Sequence, residues 1–230
     1  MTLKIGVVLE LKEIGNNIRY FVNQKYIELL LNSKPENTDL KIIKITYDDK
    51  PELLDLDGIF LIGGGKFSDK IKKRPTLEEA NPERYNYEKK LINHCKQNNI
   101  PIFGICRGHQ TLNEIHGGEI EYIDDKTNVN HNCLKTKHKI KPKEDSIISK
   151  IFKNKELITN SLHLKEIVKL SDHFSIAAES EDGIIEAIES KESPLFLGVQ
   201  WHPEALEEKD SIPLINHFLN HCLENKTKDF

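Results

Sequence analysis

Short apolar runs alternate with helix-like patterns along the first half of the chain. Four runs predict buried strands, at Leu3–Leu9, Leu40–Ile45, Gly58–Ile62 and Ile100–Ile105. The segments between them predict helices from Ile18 to Leu30, from Glu83 to Gln97, and from Arg107 to the Gly117-Gly118 pair. Strands that alternate with helices are typical of a parallel sheet with helices on both faces.

The pattern changes after residue 120. Short β-like pieces follow one another and predict antiparallel strands, at Leu157–Thr159, Phe174–Ala178, Gly183–Ile188 and Leu195–Val199. The Lys- and Asn-rich stretch Asp124–Asp145 is interpreted as a solvated loop, and a final helix is expected near Ile212–Leu223. These patterns predict an α/β protein in which residues 1–230 form one domain with a mostly parallel sheet.

Composition narrows the class of protein. Hydrophobic residues make up 37% and charged residues 30%, and the net charge is only −4, from 33 basic and 37 acidic residues. There is therefore no basic field to hold nucleic acid, and no apolar stretch approaches the ~20 residues of a membrane span. The start of the chain shows no signal-peptide pattern. The four cysteines of the chain show no CxxC spacing. We therefore expect a cytosolic protein with reduced thiols, no cofactor, no metal, and no nucleic-acid or membrane partner.

The sharpest local signal is the segment Gly104–Gly108 (GICRG). Cys106 lies where a predicted strand turns into a predicted helix, with a glycine two positions away on each side. This is the thiol counterpart of the nucleophile elbow of hydrolases, and a helix N-terminus lowers the pKa of a thiol. An isolated cysteine is more often a buried structural residue, but the elbow favours a nucleophile.

A thiolate nucleophile needs a base, an orienting group and donors for the oxyanion. His202 follows the strand Leu195–Val199, and Glu204 lies two positions further on, where it can fix the imidazole tautomer. The glycine triplet Gly63–Gly65 follows another strand and can turn its N–H groups towards a site, although it can also be an ordinary turn. The N–H of Arg107 is the natural second donor.

Together these segments resemble the class I glutamine amidotransferase superfamily, and more closely its γ-glutamyl hydrolase branch of the peptidase C26 type. The resemblance rests mainly on three segments: GGG at 63–65, IFGICRGHQ at 102–110 and GVQWHPE at 198–204. Weaker matches are RxxxE at 84–88, NSLH at 160–163 and DGIIEAIE at 182–189. The resemblance implies a three-layer α/β/α, flavodoxin-like fold with added antiparallel strands.

The resemblance also implies roles for individual residues. Cys106 corresponds to the nucleophile, His202 to the base and acid, and Glu204 to the orienting group. Backbone N–H groups of Gly64 and Arg107 correspond to the oxyanion hole. Further positions match substrate-binding residues of the family or are our own candidates for that role: Gly65, Gln110, Ser161, His163 and Arg74. Arg74 is singled out because arginine is rare in this chain and binds carboxylates as a bidentate fork.

The chain departs from the family at two points. Leu164 and Lys165 follow NSLH where many relatives have His and Gln, and Ile62 precedes the glycine triplet where many relatives have proline. The first departure leaves the leaving group open, so polyamine, γ-aminobutyrate, folate polyglutamate and peptide conjugates all remain candidates. We expect the segments Lys66–Glu79 and Ser161–Lys165 to select the leaving group.

Three functions follow from these motifs. The preferred one is a hydrolase that cleaves the γ-glutamyl amide of a small compound through a thioester, releasing glutamate and an amine. The first alternative is a glutaminase subunit that delivers ammonia to a synthetase partner, and the second is a catalytically silent binding module. The motifs do not decide whether the chain forms a homodimer.

Overall fold

The computed structural model describes residues 1–64, 76–123 and 129–228. In chain order, the strands within these ranges are β1 (Thr2–Val8), β2 (Glu10–Ile14), β3 (Asn17–Phe21), β4 (Asp39–Ile45), β5 (Gly58–Leu61), β6 (Ile102–Ile105), β7 (Glu119–Tyr122), β8 (Asn132–Pro142), β9 (Leu157–Leu162), β10 (Lys165–Lys169), β11 (Phe174–Ser180), β12 (Ile185–Ser190) and β13 (Phe196–Val199). The α-helices are α1 (Gln24–Asn32), α2 (Leu77–Ala80), α3 (Pro82–Gln97), α4 (Arg107–Ile115), α5 (Ile147–Phe152) and α6 (Glu208–Lys228). None of these helices is both long enough and apolar enough to cross a membrane.

A nine-stranded sheet organises the fold, in the order β4-β1-β5-β6-β13-β12-β11-β8-β9. The first five strands are mutually parallel, and the remaining four pair antiparallel beyond β13. The predicted α/β class, with a mostly parallel sheet and added antiparallel strands, is confirmed. One detail differs: Leu195–Val199 was expected among the antiparallel pieces, but β13 lies parallel to β6 and antiparallel to β12.

Helices cover both faces of the sheet because strand side chains alternate between the faces. Along β5 and the residue after it, Phe60 and Ile62 pack with α1, α5 and α6, whereas Ile59 and Leu61 pack with α3 and α4. All four side chains are buried. Burial on both faces explains why the parallel strands form continuous apolar runs in the sequence.

The expected helix from Ile18 is wrong in its first half. Residues 10–21 form the hairpin β2–β3, in which Gly15 adopts a positive φ of 62° at the turn. Ile18 is 66% exposed, so its helical spacing with later apolar residues does not reflect a buried face. Helix α1 begins only after Asn23, whose side chain accepts a hydrogen bond from the Lys25 N–H.

The interpretation of Asp124–Asp145 as a loop is also wrong where the structure describes it. Strand β8 occupies Asn132–Pro142 and pairs with both β9 and β11. Its buried positions include His138 and Ile140, and the lysines between and around them face solvent. The strand β8 was therefore missed because its many solvent-facing lysines made the segment look like a polar loop. Two further strands that the sequence did not predict, β7 and β10, form a separate two-stranded ribbon.

Candidate active site

Cys106 lies at the junction between β6 and α4 in a strained backbone conformation, with φ 51° and ψ −101°. Its N–H donates to the Val199 carbonyl at 2.7 Å, which ties the turn to β13. The flanking glycines are required sterically. A Cβ on Gly108 would lie 2.6 Å from the Leu61 carbonyl oxygen, and one on Gly104 would lie 2.7 Å from the Gly108 carbonyl carbon. The sequence therefore forms an elbow here because only glycine allows β5, β6 and α4 to approach so closely.

His202 is held in place by hydrogen bonds on its backbone and its ring. Asn160 on β9 accepts from the His202 N–H and donates to the His202 carbonyl, both at 2.8 Å. The ring Nδ1 lies 2.7 Å from Glu204 Oε1. An Nδ1–H donated to this carboxylate leaves the Nε2 lone pair available for a proton. Nε2 makes no hydrogen bond with any residue that the structure describes.

Cys106 and His202 lie side by side over Gly63. A Cβ on Gly63 would lie 3.0 Å from His202 Cε1, 3.4 Å from Cys106 Cβ and 2.9 Å from the Tyr26 hydroxyl oxygen. Three side chains from distant parts of the sequence therefore meet at one glycine. From the sequence, Tyr26 was only one residue of a predicted helix, and the structure adds it to the site. Burial and the nearby Glu204 carboxylate raise the pKa of Tyr26, so its hydroxyl stays protonated.

The electrostatics couple the histidine to the cysteine. Burial lowers the pKa of His202, but the Cys106 side chain and the Glu204 carboxylate together raise it well above its ordinary value. The site can therefore stabilise an imidazolium beside a thiolate.

A buried ion network lies behind the glycine loop. Glu88 accepts from Arg84 Nε at 2.6 Å and from Arg107 Nη1 at 2.9 Å, and all three side chains are almost fully buried. Arg84 also donates to the carbonyl oxygens of Ile62 at 2.6 Å and Gly63 at 3.3 Å. From the sequence, RxxxE at 84–88 was only a weak family match without an assigned role.

This network orients the backbone N–H groups of the loop. In a trans peptide unit the carbonyl and the following N–H point in opposite directions. Because the Gly63 carbonyl points to Arg84, the Gly64 N–H points away from Arg84. Gly64 itself lines the pocket and has a φ of 104°, a conformation that favours glycine. Arg107 is the first residue of α4, where N–H groups have no partner within the helix.

A cavity of about 260 Å³ opens onto these groups. Its other walls come from the β2–β3 hairpin, α1, β8 and β9. The lining residues are Glu10, Lys12, Phe21, Asn23, Tyr26, Ile62, Gly63, Gly64, Cys106, Leu134, Leu162, His202 and Glu204. Glu10 was not anticipated, because its carboxylate reaches the pocket only through the hairpin, where it lies against Gly64 and pairs with Lys12 at 3.0 Å.

The remaining predicted site residues do not line this cavity where the structure describes them. Gln110 donates to the Lys165 carbonyl at 3.0 Å and to Gln200 at 2.9 Å. Ser161 and His163 are buried on the side of the chain opposite Leu162, as the alternation of an extended strand requires. Gly65 and Arg74 lie outside the described residues, as does most of the segment Lys66–Glu79, so those expectations stay predictions.

Comparison with known proteins identifies the family. The family model described as Peptidase C26 matches residues 5–204 of the chain. The chain belongs to the peptidase C26 family. It is thus a glutamine amidotransferase-like hydrolase, and the resemblance seen in the sequence is confirmed.

Two curated relatives of this peptidase C26 protein span most of its length. It is 28% identical over 224 residues to the γ-glutamyl-γ-aminobutyrate hydrolase of Escherichia coli O157:H7, which covers 87% of this chain and 85% of that one. It is 29% identical over 217 residues to the glutamine-hydrolyzing GMP synthase of Dictyostelium discoideum, over 92% of this chain but only 27% of the synthase.

Solved structures support the fold of the peptidase C26 chain. The glutaminase domain of Trypanosoma brucei CTPS with bound acivicin superposes with a TM-score of 0.71. The superposition covers 96% of this chain and 94% of that chain, at 17% sequence identity. At this identity the likeness establishes a shared fold and nothing about the substrate.

Proposed function

We propose that this chain is a cysteine-dependent hydrolase that cleaves the γ-glutamyl amide bond of a small γ-glutamyl compound. The observation that carries the proposal is that one cavity is lined by Cys106, by the His202–Glu204 pair and by Gly64. These groups supply a nucleophile, an oriented acid and base, and an oxyanion donor, as amide hydrolysis requires. The named activity of the E. coli relative agrees with this chemistry.

The first half-reaction forms a thioester. The Cys106 thiolate attacks the γ-carbonyl carbon, and the carbonyl π electrons move onto oxygen to give a tetrahedral oxyanion. His202 then gives its Nε2 proton to the amide nitrogen while the C–N bond breaks, and the amine leaves. The raised pKa of His202 keeps this proton available beside the thiolate. Glu204, at 2.7 Å from Nδ1, balances the imidazolium charge before the transfer.

The second half-reaction hydrolyses the thioester. Nε2, now without its proton, takes one from a water molecule, and the oxygen attacks the thioester carbon. The C–S bond then breaks, glutamate leaves, and Cys106 returns as a thiolate beside protonated His202. The Asn160 hydrogen bonds to both sides of the His202 backbone hold the ring at the same place through both steps.

The N–H groups of Gly64 and Arg107 stabilise the oxyanion in this proposal. Support comes from the direction in which Arg84 turns the Gly63–Gly64 peptide, and from the position of Arg107 at the start of α4. Removal of one such donor typically lowers kcat by about 10²–10³-fold. Arg84 acts through the peptide and is therefore a positioning residue.

The leaving amine is proposed to face the β2–β3 hairpin. Glu10, Lys12 and Phe21 of this hairpin, and Asn23 just after it, line the same cavity as the catalytic pair. Lys12 also lies 4.7 Å from the centre of the Phe21 ring. The hairpin thus joins Lys66–Glu79 and Ser161–Lys165 among the segments we expect to select the amine.

We also propose that residues 1–230 form one domain and that the protein acts in the cytosol.

A glutaminase that hands ammonia to a synthetase is the alternative, and the relation to the Dictyostelium GMP synthase favours it. Both functions use the same nucleophile and base. They differ in what the isolated chain does, because a glutaminase subunit acts on glutamine and depends on its partner for full activity. A catalytically silent module would release no glutamate at all.

Glutamate release from a panel of γ-glutamyl amides tests the proposal. We expect the isolated chain to hydrolyse at least one γ-glutamyl amide other than glutamine, and Cys106→Ala to abolish this turnover. Cys95→Ala is the matched control. Cys95 is on α3, is buried in the hydrophobic core and does not line the cavity, and burial raises the pKa of its thiol. Turnover of glutamine alone would favour the glutaminase. No turnover of any amide would contradict both the hydrolase and the glutaminase proposals.

A further inference from the structure

A buried cluster of three histidines and one glutamate lies next to the active site but outside the cavity lining. His131 precedes β8, His138 is on β8, His163 follows β9, and Glu186 is on β12. Their exposed fractions are 3%, 7%, 2% and 0%. So many ionisable groups are seldom buried together without a shared partner.

The imidazole nitrogens converge on one carboxylate oxygen. Glu186 Oε1 lies 3.0 Å from His138 Nε2, 3.8 Å from His131 Nδ1 and 3.9 Å from His163 Nε2. Ligand atoms of His131, His138 and Glu186 all lie within 4.8 Å of one another. A tetrahedral zinc ion, with ligand distances of about 2.0–2.2 Å, places its ligand atoms roughly 3.3–3.6 Å apart, so small rotations of these side chains would complete a site.

The outer nitrogens of two rings have the partners that metal-binding histidines usually have. His131 Nε2 lies 2.9 Å from Asp182 Oδ2, and His163 Nδ1 lies 3.0 Å from the Lys165 carbonyl oxygen. Because each outer nitrogen donates its proton to its oxygen partner, the inner nitrogens, His131 Nδ1 and His163 Nε2, carry lone pairs. The inner nitrogen of His131 also lies 2.9 Å from Ser161 Oγ, whose hydroxyl proton it can accept.

Three of these groups each have an unpaired buried atom in the described part of the chain. His138 Nδ1, His163 Nε2 and Glu186 Oε2 are buried without a hydrogen-bond partner. A neutral imidazole lone pair that faces a carboxylate oxygen at 3.9 Å is repelled, and a cation between the two removes the repulsion.

We propose that His131, His138, His163 and Glu186 bind one divalent zinc ion. Nitrogen and carboxylate oxygen are the donors that zinc takes in proteins, and three imidazoles with one carboxylate give a four-coordinate site. Asp182, at the back of His131, supplies a second negative charge, so that two carboxylates balance the charge of the ion. No metal was expected from the sequence. The four ligands are spread over 56 positions of the chain, and only the fold brings them together.

The ion would fix the segment Ser161–His163 from behind the active site. Leu162, between these two residues, lines the cavity, and its carbonyl oxygen accepts from Cys106 Sγ at 3.7 Å. The site is thus structural with respect to the reaction, since its ligands are directed away from the cavity. The proposal does not depend on the hydrolase activity.

Zinc binding by the purified Cys106→Ala chain tests the proposal, because that background removes the thiolate as a competing zinc ligand. After treatment with EDTA, the chain is titrated with Zn²⁺ in competition with a chromophoric chelator. We expect one equivalent to bind. His163→Gln and Glu186→Gln should weaken binding by at least 100-fold, Asp182→Asn by about 10–100-fold, and His94→Gln on α3 should have no effect.

Absence of binding, or an adventitious ion only, seen as weak binding that neither His163→Gln nor Glu186→Gln changes, would overturn the proposal. Should the ligand variants fail to fold, Co²⁺ replaces Zn²⁺ in the Cys106→Ala chain. Intense visible d–d bands of a four-coordinate ion, displaced by Zn²⁺, support the site. A weak six-coordinate spectrum, or no spectrum, contradicts it.

Discussion

Removal of Arg84 tests the buried network that positions the glycine loop. The guanidinium makes three hydrogen bonds, to Glu88 at 2.6 Å, to the Ile62 carbonyl at 2.6 Å and to the Gly63 carbonyl at 3.3 Å. Arg84→Met keeps most of the side-chain volume and removes all three. Breaking a buried ion pair typically costs about 3–5 kcal/mol, and each hydrogen bond to a charged group contributes about 1.5–3 kcal/mol.

The loss in the free energy of unfolding depends on whether the charged residue left behind keeps a partner of opposite charge. In Arg84→Met, Glu88 still accepts from Arg107 at 2.9 Å, so no carboxylate is left without a cation and we expect a loss of about 3 kcal/mol. In Glu88→Gln, two buried guanidiniums lose their shared carboxylate, and we expect about 5 kcal/mol. The predicted order of destabilisation is Glu88→Gln, then Arg84→Met.

Lys169→Met is the matched control. Lys169 pairs with Glu119 at 2.8 Å, nearly the same distance, but both side chains are about 60% exposed, and we expect no resolvable change in stability. The free energy of unfolding is measured by urea titration, with the fluorescence of Trp201 as the probe. Trp201 is the single tryptophan of the chain and is 2% exposed. Equal effects of Arg84→Met and Lys169→Met would refute the reasoning that burial determines the contribution of this network.

Three further predictions concern pH, packing and thiol reactivity. Burial lowers the pKa of His109 to about 4, so the unfolded chain takes up a proton at this residue that the folded chain does not as pH falls from about 6.5 to 4. His109 should therefore contribute about 3 kcal/mol to the loss of stability over this range, and urea unfolding of His109→Gln should lack that contribution. Gly108→Ala should lower both stability and turnover, because its Cβ meets backbone at 2.6 Å, whereas Gly117→Ala, at a φ of 92° with no atom within 4 Å, should cost only about 1–2 kcal/mol in urea unfolding and keep turnover. Iodoacetamide should modify Cys106, as located by peptide mapping, and glutamate should protect it. Cys222 should be spared, because burial raises the pKa of its thiol. Preferential modification of Cys222 would contradict the assignment of the cavity.

The parts of the site that are local in sequence could be predicted from it. The GICRG spacing brings Gly104 against Gly108 four positions on, and the Glu204 carboxylate reaches His202 from two positions away. Both features are set by short-range geometry, whereas the contact of Gly108 with Leu61 on β5 appears only in the fold. The parallel strands were predictable for a related reason, since burial on both faces leaves an uninterrupted apolar run.

The parts that depend on long-range contacts could not be predicted. Strand β8 is recognised only through its pairing with β9 and β11, because solvent-facing lysines mask its pattern. The β2–β3 hairpin was missed because apolar residues from Ile18 onward have helical spacing, and only the turn at Gly15 indicates a hairpin. The role of Arg84 depends on carbonyl groups more than 20 positions away, which the RxxxE spacing does not reveal.

The central claim is that Cys106 carries the γ-glutamyl group during turnover. The most direct test is acid quenching of the chain during hydrolysis of a γ-glutamyl anilide, followed by mass spectrometry of the intact chain and its peptides. The account predicts an adduct of one glutamyl group on the peptide that contains Cys106, labile to hydroxylamine and absent from Cys106→Ala. Glutamate release that continues in Cys106→Ala, or an adduct on another residue, would contradict it.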